Sequence, residues 1–529
     1  MLSKEEKSLY RSELFRHLDG IAVAPTGYTL HRGGVMDVLD GNGFQAIDAL
    51  AQEFQANEGY LNVALRILAS QGWIEMRNAT TLPEYRLTEK GQRASTHFPL
   101  YEGVMQVMEM SEHYHPRKFE PEPFDHWIQV TQPFIEGHGL DPSDEIHAQI
   151  LKHIEGVLVG PSVVALGMGG MFHKYFMETS FRPEEFHKDP ERFGRLLDFF
   201  THLGWFRKKN DTYSFTDKGL FFAKRASAYG VTVSYIPTFR KLPELLFGDP
   251  KVLWNVPEGA PEAHVDREMN VWGSGGAHST YFKKVDEIVI DLFNRPIEEQ
   301  PKGIVDMGCG NGAYLEHLFT VIDQHTLRGT LLDEHPLFLV GADYNAAALK
   351  VTRANLIAAD IWAKVIFGDI GRPDLLAQDL EENYSIALAD LLNVRTFLDH
   401  NRIWTDTEPR GREGTSTGAY AFRGKRLTSS EVEENLKRHL EEWRPYVQRF
   451  GLLIIELHTI APQLTASHLG RTAATAYDAT HGYSDQYIVE VDVFHRIAEE
   501  AGLYPDMHHF SRFPDSELAT VSINLLRGK

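Results

Sequence analysis

The stretch GIVDMGCGNGAYLEHLFTVI, residues 303–322, decides the fold of the second half of the chain. Residues 304–306 end a short apolar run that predicts a buried β-strand, and the residues from Ala313 onward predict a helix. Three glycines fill the turn between them: Gly308, Gly310 and Gly312. Glycine lets the backbone turn sharply and lets a ligand approach where a Cβ would collide. The stretch therefore predicts a strand–turn–helix unit whose turn binds a cofactor.

Further predicted strands follow, and most of them end at an acidic residue. FLVGADYN predicts a second strand that ends at Asp343, and KVIFGDI a third that ends at Asp369 and Ile370. YSIALADLLN predicts a fourth strand with Asp390 and Asn393 at its tip, and GLLIIELHT a fifth that ends at His458. The four acids lie 37, 26 and 21 residues apart, which is close to one βα unit each: Asp306, Asp343, Asp369 and Asp390. This order predicts an α/β domain with a doubly wound sheet.

The glycine spacing separates two classes of cofactor. A dinucleotide site uses G-x-G-x-x-G, whereas this chain has D-x-G-x-G-x-G from Asp306 to Gly312. With the ordered acids, this motif resembles the class I S-adenosylmethionine-dependent methyltransferases. The resemblance implies a seven-stranded Rossmann-like core over residues 283–529, with the glycine loop around the methionine part of the cofactor. It implies Asp343 at the ribose, and Asp369 and Ile370 at the adenine. The cofactor-binding set that follows is Asp306, Gly308, Gly310, Gly312, Asp343, Asp369, Ile370 and Asp390.

The first half of the chain contains two similar segments, residues 65–91 and 196–219. Each has an apolar helix, Gly-Trp, two short alternating strands and Thr-x-Lys-Gly, and the pattern resembles winged-helix modules. Such modules bind DNA, or serve as dimerisation and substrate-positioning domains. We expect a mostly helical N-terminal region over residues 1–254, a linker over 255–282 and the core over 283–529.

Bulk composition narrows the class of protein. The 529 residues carry 53 Lys and Arg against 74 Asp and Glu, a net charge of −21, which argues against nucleic-acid binding. One cysteine fits a reducing compartment. The charged start is unlike a secretory signal, and no stretch approaches the ~20 apolar residues of a membrane span. We expect a cytoplasmic enzyme, free of nucleic acid and membrane, that acts as a monomer or a homodimer.

Candidate chemical groups follow strands four and five, at the edge where doubly wound sheets bind ligands. Asn393 and His400 follow strand four. A long polar segment, residues 458–490, follows strand five and is predicted to be a functional loop that contains His458, His481 and Gln486. Histidine and glutamine side chains serve as bases or as metal ligands, and a metal can stabilise an enolate.

The same segments carry a narrower resemblance. HLGRTAATAYDATHGYSDQYIVEVDVF, ELHTIAP and NVRTFLDHNR look like the metal-dependent C-methyltransferase domains of bacterial polyketide synthase starter modules, the apratoxin synthase type. The resemblance implies iron or manganese, a helical N-terminal lid, and a malonyl-type acyl group as methyl acceptor, either carrier-bound or a free small molecule. It implies His458, His481 and Gln486 as metal ligands. The catalytic candidates are His458, His481, Asn393 and His400.

Three functions remain open on the sequence. The first is metal-assisted C-methylation of a malonyl-type thioester or a dicarbonyl compound. The second is metal-free O-methylation of a small molecule with a histidine as base. The third is a winged-helix regulator built on an inactive cofactor-binding core. The intact glycine loop and the acidic charge favour a methyltransferase over a regulator.

Overall fold

The computed structural model describes residues 2–39, 43–108, 110–257, 260–275, 278–407, 411 and 413–529, with the backbone alone at 111, 112 and 278–280. The chain forms two compact units. The first unit contains residues 1–278, 419–427 and 461–485, and the second contains 279–418, 428–460 and 486–529. The chain therefore leaves the second unit twice, and the predicted boundary near residue 283 describes only the first crossing.

The first half of the chain is mostly helical, as predicted. Its helices are α1 Lys4–Arg32, α2 Val35–Leu39, α3 Ile47–Phe54, α4 Glu58–Ser70, α5 Glu89–Ser95, α6 Glu102–Val107, α7 Met110–His113, α8 Pro121–Ile135, α9 Glu145–Met168, α10 Lys174–Glu178, α11 Pro190–His202, α12 Asp217–Ala223, α13 Ser227–Ser234, α14 Ile236–Phe239, α15 Leu242–Phe247 and α16 Arg267–Gly275. Its strands are β1 Gln45–Ala46, β2 Ile74–Arg77, β3 Glu84–Leu87, β4 Phe206–Lys209 and β5 Thr212–Phe215. Helix α16 lies within the predicted linker.

The second half alternates between strands and helices. Its helices are α17 His278–Phe293, α18 Ala313–His325, α19 Ala346–Ala358, α20 Pro373–Tyr384, α21 Ser429–Val447, α22 Pro462–Ser467, α23 Ala474–Gly482 and α24 Val491–Glu500. Its strands are β6 Gly303–Met307, β7 Phe338–Asp343, β8 Lys364–Phe367, β9 Leu391–Thr396, β10 Tyr420–Phe422, β11 Lys425–Leu427, β12 Leu452–Leu457, β13 Tyr504–Pro505, β14 Ser511–Phe513 and β15 Val521–Arg527.

Both predicted winged-helix-like segments are present in the first unit. The first runs α4, β2, β3, α5, and the second runs α11, β4, β5, α12. Each leading helix is followed by a glycine in the left-handed region, Gly72 at φ +77° and Gly204 at φ +78°. Each hairpin ends on a threonine that caps the next helix, because Thr88 and Thr216 accept the N–H of the glycine three residues on, both at 3.0 Å.

Two excursions from the second half complete the first unit: the β10–β11 hairpin and residues 461–485. Asp485 joins them, because its carboxylate accepts hydrogen bonds from Tyr60 Oη at 2.8 Å and Arg423 N at 3.0 Å. Arg66 Nε donates to Asp478 at 3.0 Å, and both side chains are buried. Removal of one partner of a buried ion pair strongly destabilises a protein, so the Arg66–Asp478 pair fixes residues 461–485 within this unit. The two hydrogen bonds to Asp485 hold that segment to Tyr60 and to the β10–β11 hairpin.

The predicted polar loop at residues 458–490 is wrong in its local structure. Residues 462–467 and 474–482 are helices, and most of the segment is buried. The segment is rich in Ala, Thr and Gly and shows no clear periodicity in sequence. These side chains are small enough to pack in the protein interior. The Thr480 hydroxyl donates a hydrogen bond to Ala476 O at 3.0 Å, one turn back along α23.

The second unit is built on a sheet of eight strands in the order β13-β15-β12-β9-β6-β7-β8, with β14 paired to β15. The pairs from β12 to β8 are parallel, and β15 is antiparallel to β12. The predicted α/β class is confirmed, with one strand more than the predicted seven. Strand order reverses between β6 and β9, which lie side by side. Ligands in such sheets bind outside the carboxyl ends of the strands at this switch point.

One helix, Glu145–Met168, is long and apolar enough to cross a membrane by length and composition. In the described chain, 83% of its apolar window is buried inside the protein. A core helix has this character, because its apolar residues face other protein segments.

We predict that Gly91→Ala and Gly219→Ala each destabilise the first unit by about 1–3 kcal/mol, the usual cost of overpacking. A Cβ at Gly91 would collide with Trp73 O, and one at Gly219 would collide with Trp205 O. Urea unfolding of the purified chain measures the effect. The matched control is Gly194→Ala in α11, where a Cβ would meet nothing closer than 3.8 Å. A control as destabilising as the test variants would contradict the close-packing argument.

Candidate active site

The glycine turn after β6 forms as predicted. Gly308, Gly310 and Gly312 all have positive φ, at +80°, +56° and +82°. A Cβ at Gly308 would press on the Leu398 side chain at 3.0 Å, and one at Gly312 on Thr352 at 3.0 Å. A Cβ at Gly310 would meet only Gly308 O, at 4.0 Å. The turn therefore packs at its two outer glycines and presents bare backbone at the middle one, as a close-fitting ligand requires.

Asp343 ends β7 beside this turn, as the sequence predicts. Its Oδ2 accepts the Gly310 N–H at 3.0 Å, and its Oδ1 accepts the Asn345 N–H at 2.8 Å. Both carboxylate oxygens are thereby oriented, and each keeps a second lone pair for a ligand hydroxyl. The geometry suits the ribose role that the sequence assigns to Asp343.

Asp306, near the end of β6, is only 2% exposed. Burial, and then the nearby Asp343 carboxylate, raise the pKa of Asp306 to about 7. Its Oδ2 has no hydrogen-bond partner among the described residues. A buried carboxyl group of this kind binds a cationic group best when it is ionised, so its affinity for such a group depends on pH near neutrality.

Asp369 and Ile370 follow β8, at the predicted strand end. Asp369 Oδ1 accepts the Gly371 N–H at 2.8 Å, so the carboxylate is held in a tight turn. Ile370 is nearly buried, and its carbonyl accepts Trp443 Nε1–H at 2.7 Å. Helix α21, which carries Trp443, thus fixes the backbone that the sequence places against the adenine ring.

The predicted positions of Asp390 and Asn393 are wrong. Strand β9 begins at Leu391, so Asp390 lies at its amino end, away from the ligand edge, and pairs with Lys302 at 2.7 Å and Arg449 at 2.8 Å. Asn393 lies within the strand, 2% exposed, and its Nδ2 points to the Leu391 and Tyr446 carbonyls at 3.3 and 3.4 Å. The sequence analysis ended the strand at Asn393, but β9 continues to Thr396 and buries Asn393.

His400 lies beyond the carboxyl end of β9, in the short 3-10 turn Asp399–Asn401. Its Nδ1 bonds to Glu456 Oε1 at 2.5 Å, and both residues are buried. The sequence analysis missed Glu456; the available signal was a lone acid within the apolar strand LLIIEL. A carboxylate on one ring nitrogen fixes the tautomer and makes the other nitrogen a better base.

Several buried polar atoms surround this pair without a hydrogen-bond partner in the part of the chain that the structure describes. They are Arg395 Nε and Nη2, Thr396 Oγ1, Asp399 Oδ2 and Glu456 Oε2. Native proteins pair nearly all of their buried polar groups, so such a concentration marks a polar binding region. It lies at the end of β9, where Gly308 meets Leu398.

His458 is oriented by two protein contacts. Its Nδ1 bonds to Val489 O at 2.9 Å and its Nε2 to Ser522 Oγ at 2.6 Å, and the residue is fully buried. Burial lowers its pKa to about 3, so the ring is neutral. Nδ1–H donates to the carbonyl, and Nε2 accepts the serine hydroxyl. In this arrangement His458 offers no lone pair to a metal, contrary to the ligand role predicted for it.

His481 and Gln486 differ from His458. His481 lies on α23 in the first unit, and its Nδ1 donates to Tyr477 O at 2.8 Å. A backbone carbonyl on the second nitrogen is the usual arrangement behind a metal-bound histidine. Gln486 belongs to the second unit and is 5% exposed. The ligand role that the sequence predicts for these two residues stays a prediction.

One further carboxylate–histidine cluster occurs among the described residues, formed in the first unit by Glu13, His17 and Glu155. Lys152 pairs with both glutamates, at 3.3 and 2.6 Å, and Lys218 pairs with Glu13 at 2.9 Å. His17 Nε2 contacts Glu155 at 3.0 Å. The lysines already neutralise both carboxylates, so the cluster is an ion-paired part of the core.

Comparison with known proteins agrees with this geometry. An AprA MT2-like domain model matches residues 262–524, an AprA winged helix domain model matches 155–249, and an AprA N-terminal domain model matches 10–76. No curated protein matches the chain significantly.

Several solved methyltransferase structures are similar to the chain at low identity. The mitomycin 7-O-methyltransferase MmcR is 14% identical, with a TM-score of 0.40. The match covers 72% of this chain and 98% of the MmcR chain. The CurJ carbon methyltransferase is 10% identical, with a TM-score of 0.35, and the match covers 82% of this chain and 99% of the CurJ chain. CalO1, a methyltransferase in calicheamicin biosynthesis solved with SAH bound, is 15% identical with a TM-score of 0.35, covering 73% and 99%. The three family models between them cover most of the chain, and they assign it to the AprA-like family of S-adenosylmethionine-dependent methyltransferases.

Proposed function

We propose that the enzyme transfers the methyl group to an acidic carbon of a malonyl-type thioester or a related dicarbonyl compound. The observation that carries the proposal is the buried His400–Glu456 pair at the carboxyl edge of the sheet, beside the switch point. A carbon between two carbonyl groups is acidic enough for a histidine to deprotonate. The acyl group is either held by a separate carrier protein or supplied as a free small molecule.

The cofactor site is assigned to the residues around the glycine turn. The bare backbone at Gly310 accommodates the methionine part of S-adenosylmethionine, and Asp343 binds its ribose. Asp369 and Ile370 bind its adenine ring. The cofactor supplies an electrophilic methyl group on a sulfonium. We assign Asp306 to the cofactor's ammonium group, because it lies at the foot of the same turn.

The chain's own contribution to the reaction is proton transfer and orientation. Glu456 accepts the His400 Nδ1–H, so Nε2 takes the proton from the acceptor carbon. The carbon then attacks the methyl group, a C–C bond forms, and the C–S bond breaks to leave S-adenosylhomocysteine. The proton on His400 passes to solvent after product release. The unpaired polar atoms of Arg395 and Thr396 suit the polar acceptor that this reaction requires.

We further propose that a divalent cation, iron or manganese, assists the reaction. The resemblance implies His481 and Gln486 as ligands, and His458 is not proposed as one because both of its ring nitrogens are engaged. A bound cation would stabilise negative charge on the acceptor's oxygens. The resemblance to metal-dependent C-methyltransferase domains supports this part of the proposal.

Metal-free O-methylation is the second candidate. The His400–Glu456 pair favours it as well, because this base needs no metal to deprotonate a phenol. The two candidates differ in the acceptor and in the effect of chelation.

We predict that His400→Ala and Glu456→Gln lower kcat for methyl transfer to a malonyl thioester by about 100-fold or more, because each removes the base or its orienting carboxylate. Labelled S-adenosylmethionine measures turnover, and phenolic acceptors are tested in parallel. The control is His317→Ala, which breaks a histidine–carboxylate pair with Asp286 between α17 and α18. If neither His400→Ala nor Glu456→Gln changes turnover, His400 is not the base.

We predict that His481→Ala and Gln486→Ala lower the iron or manganese content of the purified enzyme, and that His458→Asn does not. Elemental analysis of protein purified without chelator measures this directly. Chelation of the wild type should reduce methyl transfer and leave S-adenosylhomocysteine binding intact. Full activity after complete removal of metal would contradict the metal-assisted reaction and favour metal-free O-methylation.

We predict that S-adenosylhomocysteine binding weakens by up to about tenfold per pH unit below pH 7, because protonation removes the Asp306 carboxylate that faces the ammonium group. Asp306→Asn should bind weakly and lose this pH dependence. Calorimetric titration between pH 5.5 and 8.5 measures both. Asp390→Asn is the control, since that carboxylate lies at the opposite end of β9. An unchanged pH profile in Asp306→Asn would rule out this role.

A further inference from the structure

We propose that Asp399, held by Arg395 and His439, positions His400 for proton transfer. The inference rests on the proposed function, because it assigns the support of the base. The sequence analysis did not single out Asp399 or His439 as functional groups. All of them lie in the second unit, with His439 on helix α21.

The chain reverses abruptly before it reaches His400. Strand β9 ends at Thr396, and Phe397 then adopts a left-handed conformation at φ +54°, which is uncommon for a non-glycine residue. The Phe397 N–H donates to Ile455 O of β12 at 2.8 Å. Such a reversal persists only where the surrounding contacts hold it. The 3-10 turn Asp399–Asn401 follows directly, so its position depends on what anchors it.

The Asp399 side chain is the first anchor. Its Oδ1 accepts hydrogen bonds from Arg395 Nη1 at 2.5 Å and from His439 Nε2 at 2.9 Å, and it is fully buried. Burial opposes ionisation, but Arg395 and His439 together hold the pKa of Asp399 well below its usual range. A buried carboxylate with two directed donors cannot move without leaving a charge unpaired. The residue immediately before His400 is therefore fixed.

The Asp399 backbone is the second anchor. Its carbonyl accepts Arg402 Nη1–H at 3.0 Å. Arg402 is itself held by α21, because its Nε donates to Asn435 Oδ1 at 2.6 Å and its Nη2 to Val432 O at 3.2 Å. The turn is thus held on both sides of His400, by residue 399 and by residue 402.

Helix α21 connects this support to the cofactor loop. The Arg395 guanidinium lies 3.9 Å from the Trp443 ring centroid, and Trp443 Nε1 donates to Ile370 O. His439 and Trp443 lie four residues apart and so share one face of α21. One face of one helix therefore supports the turn that carries the base and the loop assigned to the adenine ring.

The consequence is that His400 keeps its contact with Glu456 only while the Asp399 carboxylate is in place. Asp399→Asn preserves the shape of the side chain but removes the charge that pairs with Arg395. A displacement of about 1 Å in a catalytic group is enough to cost about 100-fold in rate. Cofactor binding depends on other residues and is expected to persist.

The experiment separates proton transfer from methyl transfer. Malonyl-pantetheine is incubated with enzyme and S-adenosylhomocysteine in deuterium oxide, and exchange of the α-proton is followed by NMR. Asp399→Asn should slow exchange about 10- to 100-fold while its Kd for S-adenosylhomocysteine stays within about twofold. Arg395→Lys, which keeps the charge, should recover part of the exchange that Arg395→Met loses.

Glu155→Gln is the matched control. Glu155 is a buried carboxylate that also pairs with one cation and one histidine, Lys152 and His17, but it lies in the first unit. It should lower stability without slowing exchange. Exchange at the wild-type rate in Asp399→Asn would overturn the positioning role.

Absence of exchange in the wild type, by contrast, would overturn the proposed function and not the support of the turn. If Asp399→Asn does not fold, His439→Gln and His439→Leu give the same test. Glutamine can still donate to Asp399, so the glutamine variant should exchange faster than the leucine variant. Equal exchange rates in these two variants would contradict the inference.

Discussion

The arrangement of the second unit depends on the side-by-side pairing of β6 and β9. Met307 of β6 and Ile454 of β12 flank Arg395 in register, so three carboxyl ends meet at one edge. The glycine turn leaves β6 at that edge, and the turn that carries His400 leaves β9. Because parallel strands bring their ends together, groups distant in sequence become neighbours without a long loop.

Burial turns this edge into a chemical site. The carboxyl groups of Asp306, Asp399 and Glu456 are all withdrawn from water, yet each is treated differently. No cation among the described residues pairs with Asp306, and its pKa is raised; Asp399 accepts hydrogen bonds from two donors, and its pKa is lowered. The Glu456 carboxylate forms a hydrogen bond with the His400 ring. Neighbouring groups, more than residue type, decide what each carboxylate does.

The first unit shows how local chemistry repeats a module. Thr-x-Lys-Gly occurs in both segments for two reasons. The threonine side chain caps the helix that follows, and the glycine lies so close to a tryptophan carbonyl that no Cβ would fit. The unit then captures the β10–β11 hairpin and residues 461–485 from the other half of the chain, through Asp485 and Asp478. The Arg66–Asp478 ion pair and the Tyr60–Asp485 hydrogen bond join residues 412 and 425 positions apart, so no local sequence pattern predicts them.

The sequence by itself determined the glycine turn, the strands that carry Asp343, Asp369 and His458, the two winged-helix-like segments and the methyltransferase class, because these follow from short-range spacing and turn chemistry. It also named His400 as a candidate, a residue that the structure pairs with Glu456. Tertiary structure decided that Asp390 lies at the wrong end of β9, that His458 is engaged at both ring nitrogens, and that Glu456 and Asp399 support His400. Those outcomes depend on strand register and on which distant donors reach a buried group. Neither is fixed by the sequence spacing of the residues concerned.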